Sequence, residues 1–419
     1  MQVKSLKKTS LIRGSLYSLF SFFNQGSSFL LLILLANYIN PAEYGKLSMF
    51  NTLVQLLTYF IAFSASGYIS VSYFSKGQQE FRKDFSSIML LGVISLFIIV
   101  SIIGVCNDVI SHLLNIPSMC VWIGVVICLS LFLHNINLDI IRINENIKEY
   151  GIFSCSNAIL NFILSLILVI GFNMNWEGRV FAQFCTNITF GIIAIYLFNK
   201  RKLFTYSISY TRLKSIAMWG MPLIPHLASS WIKQGCDRLI INSNYSIEEV
   251  GLFSFALNLT SIITMIGLGF NQVNSVDIYK ILGDNEHDNK WKLKKLDTQR
   301  REVWQIYIVV FIVVVITCIL GVPILLPKYS DSIIYFIPLS IYGLGVCIYL
   351  MYCNYLFYYD MNKYIMMITF TSSLIHLLLS LFLTRYSLFL TAIIYVVMQL
   401  YIVVLLYHES KKLLQIKLI

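Results

Sequence analysis

Apolar runs of about 20 residues, each ended by charges or by Pro, Gly or Asn, follow one another along this chain with almost nothing between them. They cover roughly 14–38, 44–74, 86–106, 119–141, 151–171, 177–198, 215–241, 249–279, 304–326, 332–358, 364–384 and 387–408. A helix rises 1.5 Å per residue, so about 20 apolar residues match the ~30 Å hydrocarbon core of a bilayer. The runs are continuous rather than alternating, which excludes the strands of a membrane β-barrel. The expectation is an all-α polytopic membrane protein with 12 transmembrane helices. Composition agrees: of 419 residues, 58% are apolar and 12% charged, against about 25% charged in soluble domains. A cytosolic enzyme, a disordered tail protein and a secreted disulfide scaffold are excluded.

The net charge of +11 raises the question of nucleic acid or anionic lipid as a partner. Sorting by loop answers it. With the N-terminus and every second loop on one side, 25 of the 31 Lys and Arg residues fall there, and only Lys46, Arg179, Lys328 and Arg385 fall opposite. The basic side is the cytoplasm, which puts both termini there and leaves no role for nucleic acid. The apolar stretch from Leu16 to Tyr38 is too long for the ~7–15-residue core of a signal peptide, so it is expected to stay as the first span. Nine Cys show no C-x-x-C and no His at metal spacing, and read as small buried apolar residues with no metal site. The basic stretch from Lys280 to Arg301, with Trp291, Leu293 and Leu296 interleaved, reads as an interfacial helix on anionic membrane lipid.

An offset of 206 residues lays Leu35–Leu53 over Ile241–Leu259, so that Glu43 meets Glu249, Gly45 meets Gly251 and Ser48 meets Ser254. The offset predicts two six-helix lobes around a central cavity, 1–198 and 215–419, joined by a basic cytoplasmic linker at 199–214.

A twelve-span chain with Gly220-Met221-Pro222 opening the seventh span, Asp237 near its outer end, and Glu249-Val250-Gly251-Leu252-Phe253-Ser254 opening the eighth resembles a known family. It is similar to the polysaccharide-exporter branch of the multidrug/oligosaccharidyl-lipid/polysaccharide exporter (MOP) superfamily, above all to bacterial O-antigen flippases. The likeness covers essentially the whole chain, although the first half lacks both the Pro and the Asp of the second. It implies a non-enzymatic transporter of the bacterial inner membrane. Its cargo would be an undecaprenyl-pyrophosphate-linked oligosaccharide, the O-antigen repeat unit of lipopolysaccharide biosynthesis, moved from the cytoplasmic to the periplasmic face by alternating access. A polysaccharide polymerase and a chain-length regulator are the protein partners it implies.

Ionisable and amide side chains at membrane depth are the functional candidates, because burying them in lipid is costly. His226, ten residues beyond Ile216, falls near the midplane, just after Pro222 and Pro225; a kinked helix with a satisfied His is the competing reading. Lys233 and Asp237 share a face at i, i+4, which suits an ion pair. Functionally, Lys233 would attract a pyrophosphate or acidic sugar, and Asp237 would exchange H⁺ or Na⁺. In the fourth span His134, Asp139, Arg142 and Glu145 cluster. Arg142 is a candidate entrance contact for the pyrophosphate and Asp139 a coupling carboxylate, against the alternative of a salt-bridged helix end. Arg13 could join Arg142 or merely anchor the first span. Asn24 and Gln25 lie about 16 Å beyond it, and Asn51/Gln55, Asn157/Asn161 and Gln183/Asn187 recur at i+4. Such amide stripes suit a glycan path or, equally, hydrogen bonds between helices. Six Tyr of the tenth span, from Tyr342 to Tyr359, could stack on sugars or form an interfacial belt.

No phosphate-binding Gly loop, nucleophile elbow or H-E-x-x-H pattern occurs. No cofactor is expected, and the energy source is an H⁺ or Na⁺ gradient or consumption of product on the far side. The rival readings are a drug/cation antiporter of the same superfamily, which calls for midplane carboxylates, an O-antigen polymerase, which calls for a long outer loop, and a structural member of an assembly complex.

Overall fold

The computed structural model describes residues 2–418 apart from Pro222 and Asn285, with side chains except those of 2–15, Ser18, Ser64, Ala65, Leu223, His226 and Leu418. The described residues form fourteen α-helices and no strand. In order these are α1 (Gln2–Ala36), α2 (Pro41–Phe60), α3 (Tyr68–Ser75), α4 (Gln78–Leu114), α5 (Ser118–Ile143), α6 (Ile147–Leu166), α7 (Asn175–Lys200), α8 (Tyr210–Gly220), α9 (Leu223–Asn244), α10 (Ile247–Leu282), α11 (Asn289–Leu325), α12 (Ser332–Tyr358), α13 (Asn362–Leu383) and α14 (Leu388–Leu418). A 3₁₀ turn at Ile61–Gly67 joins α2 to α3, and a π turn at Ile167–Gly171 ends α6.

Eleven stretches of the described helices are long and apolar enough to cross a membrane. The expected span at 215–241 is the exception. It is divided into α8 and α9, and α9 carries Ser229, Ser230, Lys233, Gln234, Asp237 and Arg238 within three turns. Pro225, in the first turn of α9, supplies no backbone N–H, which suits the start of a helix rather than the middle of a continuous one. Outward faces are apolar: α4 exposes Phe97, Ile102, Val105 and Val109. Lipid accepts such a surface and water does not.

The helix starts explain why the 206-residue offset is visible in the sequence. Asn40 caps α2, its Oδ1 accepting the Glu43 N–H at 2.8 Å while the Glu43 carboxylate accepts the Asn40 N–H at 3.1 Å. Ser246, the residue 206 further on, caps α10 by accepting the Glu249 N–H at 3.3 Å. Both caps satisfy donors that the first helical turn leaves free. Only the fate of the Glu differs, since Glu249 accepts from the Tyr335 hydroxyl at 2.9 Å.

The chain gathers into two compact units, Met1–Trp231 and Ile232–Ile419. The division falls within α9 rather than in the linker 199–214, because α8 is tied to the first unit. Arg212 donates to Asp84 and to Glu80, each at 2.5 Å, and Asp84 also binds Lys76 at 2.7 Å and accepts from Ser72 at 2.6 Å. The Glu80 and Asp84 carboxylates raise the Arg212 guanidinium above its ordinary pKa; burial works against Lys76, yet Asp84 raises it as well. Trp219 packs edge-on against Tyr68 at 5.3 Å, and the Trp231 indole donates to the Thr52 carbonyl at 3.0 Å.

In the second unit α10, α12 and α14 pack closely. Gly267 permits the approach of α10 to α12, since a Cβ there would lie 2.2 Å from Cys347 Sγ. The stretch expected as an interfacial helix is instead the start of α11, continuous with its span. Leu296 is buried, and Gln299 donates to Asn274 Oδ1 at 2.9 Å, so this basic extension leans on the end of α10.

Candidate functional site

In the first unit, α1, α2, α5, α6 and α7 frame a cavity of about 440 Å³. Its wall is made of the amide stripes. Asn24 comes from α1, Asn51 from α2, Asn135 from α5, Asn157 and Asn161 from α6, and Gln183 and Asn187 from α7. The pairs Asn157/Asn161 and Gln183/Asn187 therefore face one space, as helical periodicity allows for residues on a common face, whereas Gln55, expected beside Asn51, lies outside the wall and donates to the Tyr59 hydroxyl at 3.0 Å. Close approach of α1 to α6 narrows it: Gly151 abuts the Phe20 ring, and the Asn24 amide donates to Ser154 Oγ at 2.5 Å. Gln183 reaches Asn51 at 3.4 Å, and Asn187 donates to the Gln183 carbonyl at 2.7 Å.

The charge in this wall is Arg179. Its side chain is 7% exposed, one turn inside α7, and donates to Asn161 and, at 2.8 Å, to Ser165 Oγ. Among the described residues no carboxylate lines the cavity. The sequence reading sorted Arg179 among the outer loop residues. The signal for its actual place was the spacing 179, 183, 187, which extends the Gln183/Asn187 stripe back by one turn. His134 is buried in the same wall, stacked on Phe153 at 5.0 Å.

The remaining candidates separate. Gln25 is exposed and lies outside the cavity wall. Arg142, about half exposed, pairs with Asp139 at i+3 at the end of α5. The side chains of Arg13 and His226 lie outside the described residues. In the second unit Asp237 is fully buried, and its partner is His376 of α13, with Nε2 2.7 Å from Oδ2. The ion pair expected with Lys233 is not formed: Lys233 has no carboxylate within 4.0 Å among the described residues. Its carbonyl accepts from Tyr395, whose ring lies edge-on to His376 at 4.7 Å. His376 escaped the sequence reading, although Ser372, His376 and Ser380 form an i+4 polar stripe. All three are fully buried. The tenth-span tyrosines pack among themselves and on α14, with Tyr342 against Tyr395 at 5.0 Å and Tyr352 against Tyr407 at 5.6 Å.

A family model described as polysaccharide biosynthesis protein matches residues 11–274, more than half of the chain. The chain belongs to that family. Among curated relatives, an Lsg-locus protein of Haemophilus influenzae is 24% identical over 366 residues, 83% of this chain and 84% of its own length. Among solved structures, an inward-facing multidrug resistance MATE family transporter of the MOP superfamily superposes with a TM-score of 0.74 at 14% identity, covering 95% of each chain. The lipid II flippase MurJ in an inward closed conformation gives 0.73 at 16% identity, covering 94% of this chain and 87% of its own. The fold is that of MOP-superfamily transporters. This member of the polysaccharide biosynthesis protein family is a multi-pass membrane protein with eleven apolar helices long enough to span a bilayer among its described residues.

Proposed function

We propose that this polysaccharide biosynthesis protein flips an undecaprenyl-pyrophosphate-linked oligosaccharide, an O-antigen repeat unit, from the cytoplasmic to the periplasmic face of the bacterial inner membrane. The observation that carries the reading is the cavity of the first unit. Seven amides and a guanidinium converge on it, the wall a polyhydroxylated sugar needs and an apolar drug does not. A cation antiporter would place carboxylates there, and among the described residues the wall has none. In this reading 1–198 and 215–419 act as the two repeated lobes, joined by 199–214, and alternate access to the two faces. Both termini are cytoplasmic, and a polymerase and a chain-length regulator take the product.

Coupling is assigned to Asp237. A carboxylate buried against an imidazole can hold a proton in one access state and release it in another. Lys233, His226, Arg142, Arg13, Asn24 and Gln25 are assigned to the lipid-linked substrate, and Asp139 to coupling beside Asp237. Deleting the gene and restoring it on a plasmid tests the reading. Surface polysaccharide should vanish and return, with lipid-linked repeat units accumulating inside the deleted strain. Unchanged surface polysaccharide in that strain would overturn it.

A further inference from the structure

We propose that Arg179 is the anion-recognition residue of the first-unit cavity, and that the glycan it takes carries a sugar with a carboxylate. The proposal deepens the flippase reading and rests on it. A guanidinium keeps its charge even when buried, and a buried charge without a counter-ion costs several kcal/mol. Arg179 has neutral partners, Asn161 and Ser165, and its Nε has no acceptor. Among the described residues no carboxylate lies within ion-pair distance, and the cavity wall holds neither Asp nor Glu. The two neutral acceptors hold one Nη in place without neutralising the group. The missing counter-charge is therefore assigned to the ligand.

The number and kind of neighbours select its chemistry. A pyrophosphate diester carries two negative charges and calls for several cations, whereas among the described residues this wall supplies one. A sugar acid carries a single carboxylate, which matches the two-pronged donor of one guanidinium, and hydroxyls around it, which match Asn51, Asn157, Gln183 and Asn187. Asn157 Nδ2 is likewise buried without an acceptor.

The test uses the full chain in lipid nanodiscs, titrated separately with galacturonate, galactose and inorganic pyrophosphate. Binding is read from the shift in thermal unfolding and from tryptophan fluorescence, since Trp176 is buried one turn from Arg179. Galacturonate should bind more tightly than galactose, Arg179→Gln should weaken it about tenfold or more, and Arg179→Lys should retain part of the affinity. Equal binding of galacturonate and galactose, no galacturonate-dependent shift, or galacturonate affinity unchanged in Arg179→Gln would overturn the proposal. So would tighter, Arg179-dependent binding of pyrophosphate, which would give the site to the lipid headgroup. Should Arg179→Gln fail to fold, the three-ligand comparison on the natural protein and on Arg179→Lys still decides. A failed deletion phenotype with intact galacturonate binding would instead overturn the flippase reading and leave the anion site standing.

Discussion

At the residue scale the proposals rest on two buried groups, Arg179 and Asp237. Asp237 has one oxygen on His376 and the other without a partner. Neutralising it while keeping its shape, as Asp237→Asn, should abolish or reduce transport at least tenfold with protein abundance unchanged, read as surface polysaccharide per cell. Wild-type levels in that variant would remove it from coupling. Arg142→Ala should be milder, because its partner Asp139 is one turn away on the same helix and such pairs contribute only ~0.3–0.5 kcal/mol. Which polar residues exist at membrane depth was legible from the sequence; which of them meet was less so. The amide stripes converge because residues four apart share a face. By contrast, Asp237 and His376 lie on helices distant in sequence, and nothing local tells Asp237 to prefer an imidazole over Lys233 one turn away. Arg179 was misplaced because counting charges by loop treats any residue near a helix end as facing water.

At the scale of the helix, the starts and ends were readable and their attachments were not. Asn40 and Ser246 cap helices at equivalent places, so Asn40→Ala and Ser246→Ala should each cost about 1 kcal/mol in reversible unfolding; the bond from the residue 40 backbone N–H to Glu43 survives the first substitution. Asp84 gathers Lys76, Arg212 and Ser72 about a fully buried carboxylate. Removing it as Asp84→Ala should lower stability by about 2–4 kcal/mol, seen in thermal unfolding in detergent, and leave α8 held to α4 by the Arg212–Glu80 pair. Gly267→Val should also destabilise, by about 1–3 kcal/mol, because Cys347 fills the space a side chain would need. The start of α11 was expected to lie on the membrane because amphipathic spacing looks alike in an interfacial helix and in one packed on a neighbour. Burial of Leu296 and the Gln299–Asn274 bond decide for packing.

At the scale of the whole chain, hydropathy carries most of the architecture, because a bilayer permits so few arrangements of backbone. Eleven of the twelve expected spans meet the length and hydropathy of a membrane helix; the remaining one is the broken, polar α8–α9 stretch. Its polarity is what makes it a candidate for function: it carries Lys233 and Asp237. The central claim is movement of a lipid-linked glycan across a bilayer. The direct measurement is transport in proteoliposomes of the purified protein, loaded with undecaprenyl-pyrophosphate-linked oligosaccharide from the parent strain and scored by lectin access to the glycan on the far leaflet. A protein-dependent rate that falls at least tenfold in Asp237→Asn and in Arg179→Gln is expected. A rate no greater than that of protein-free liposomes would contradict it.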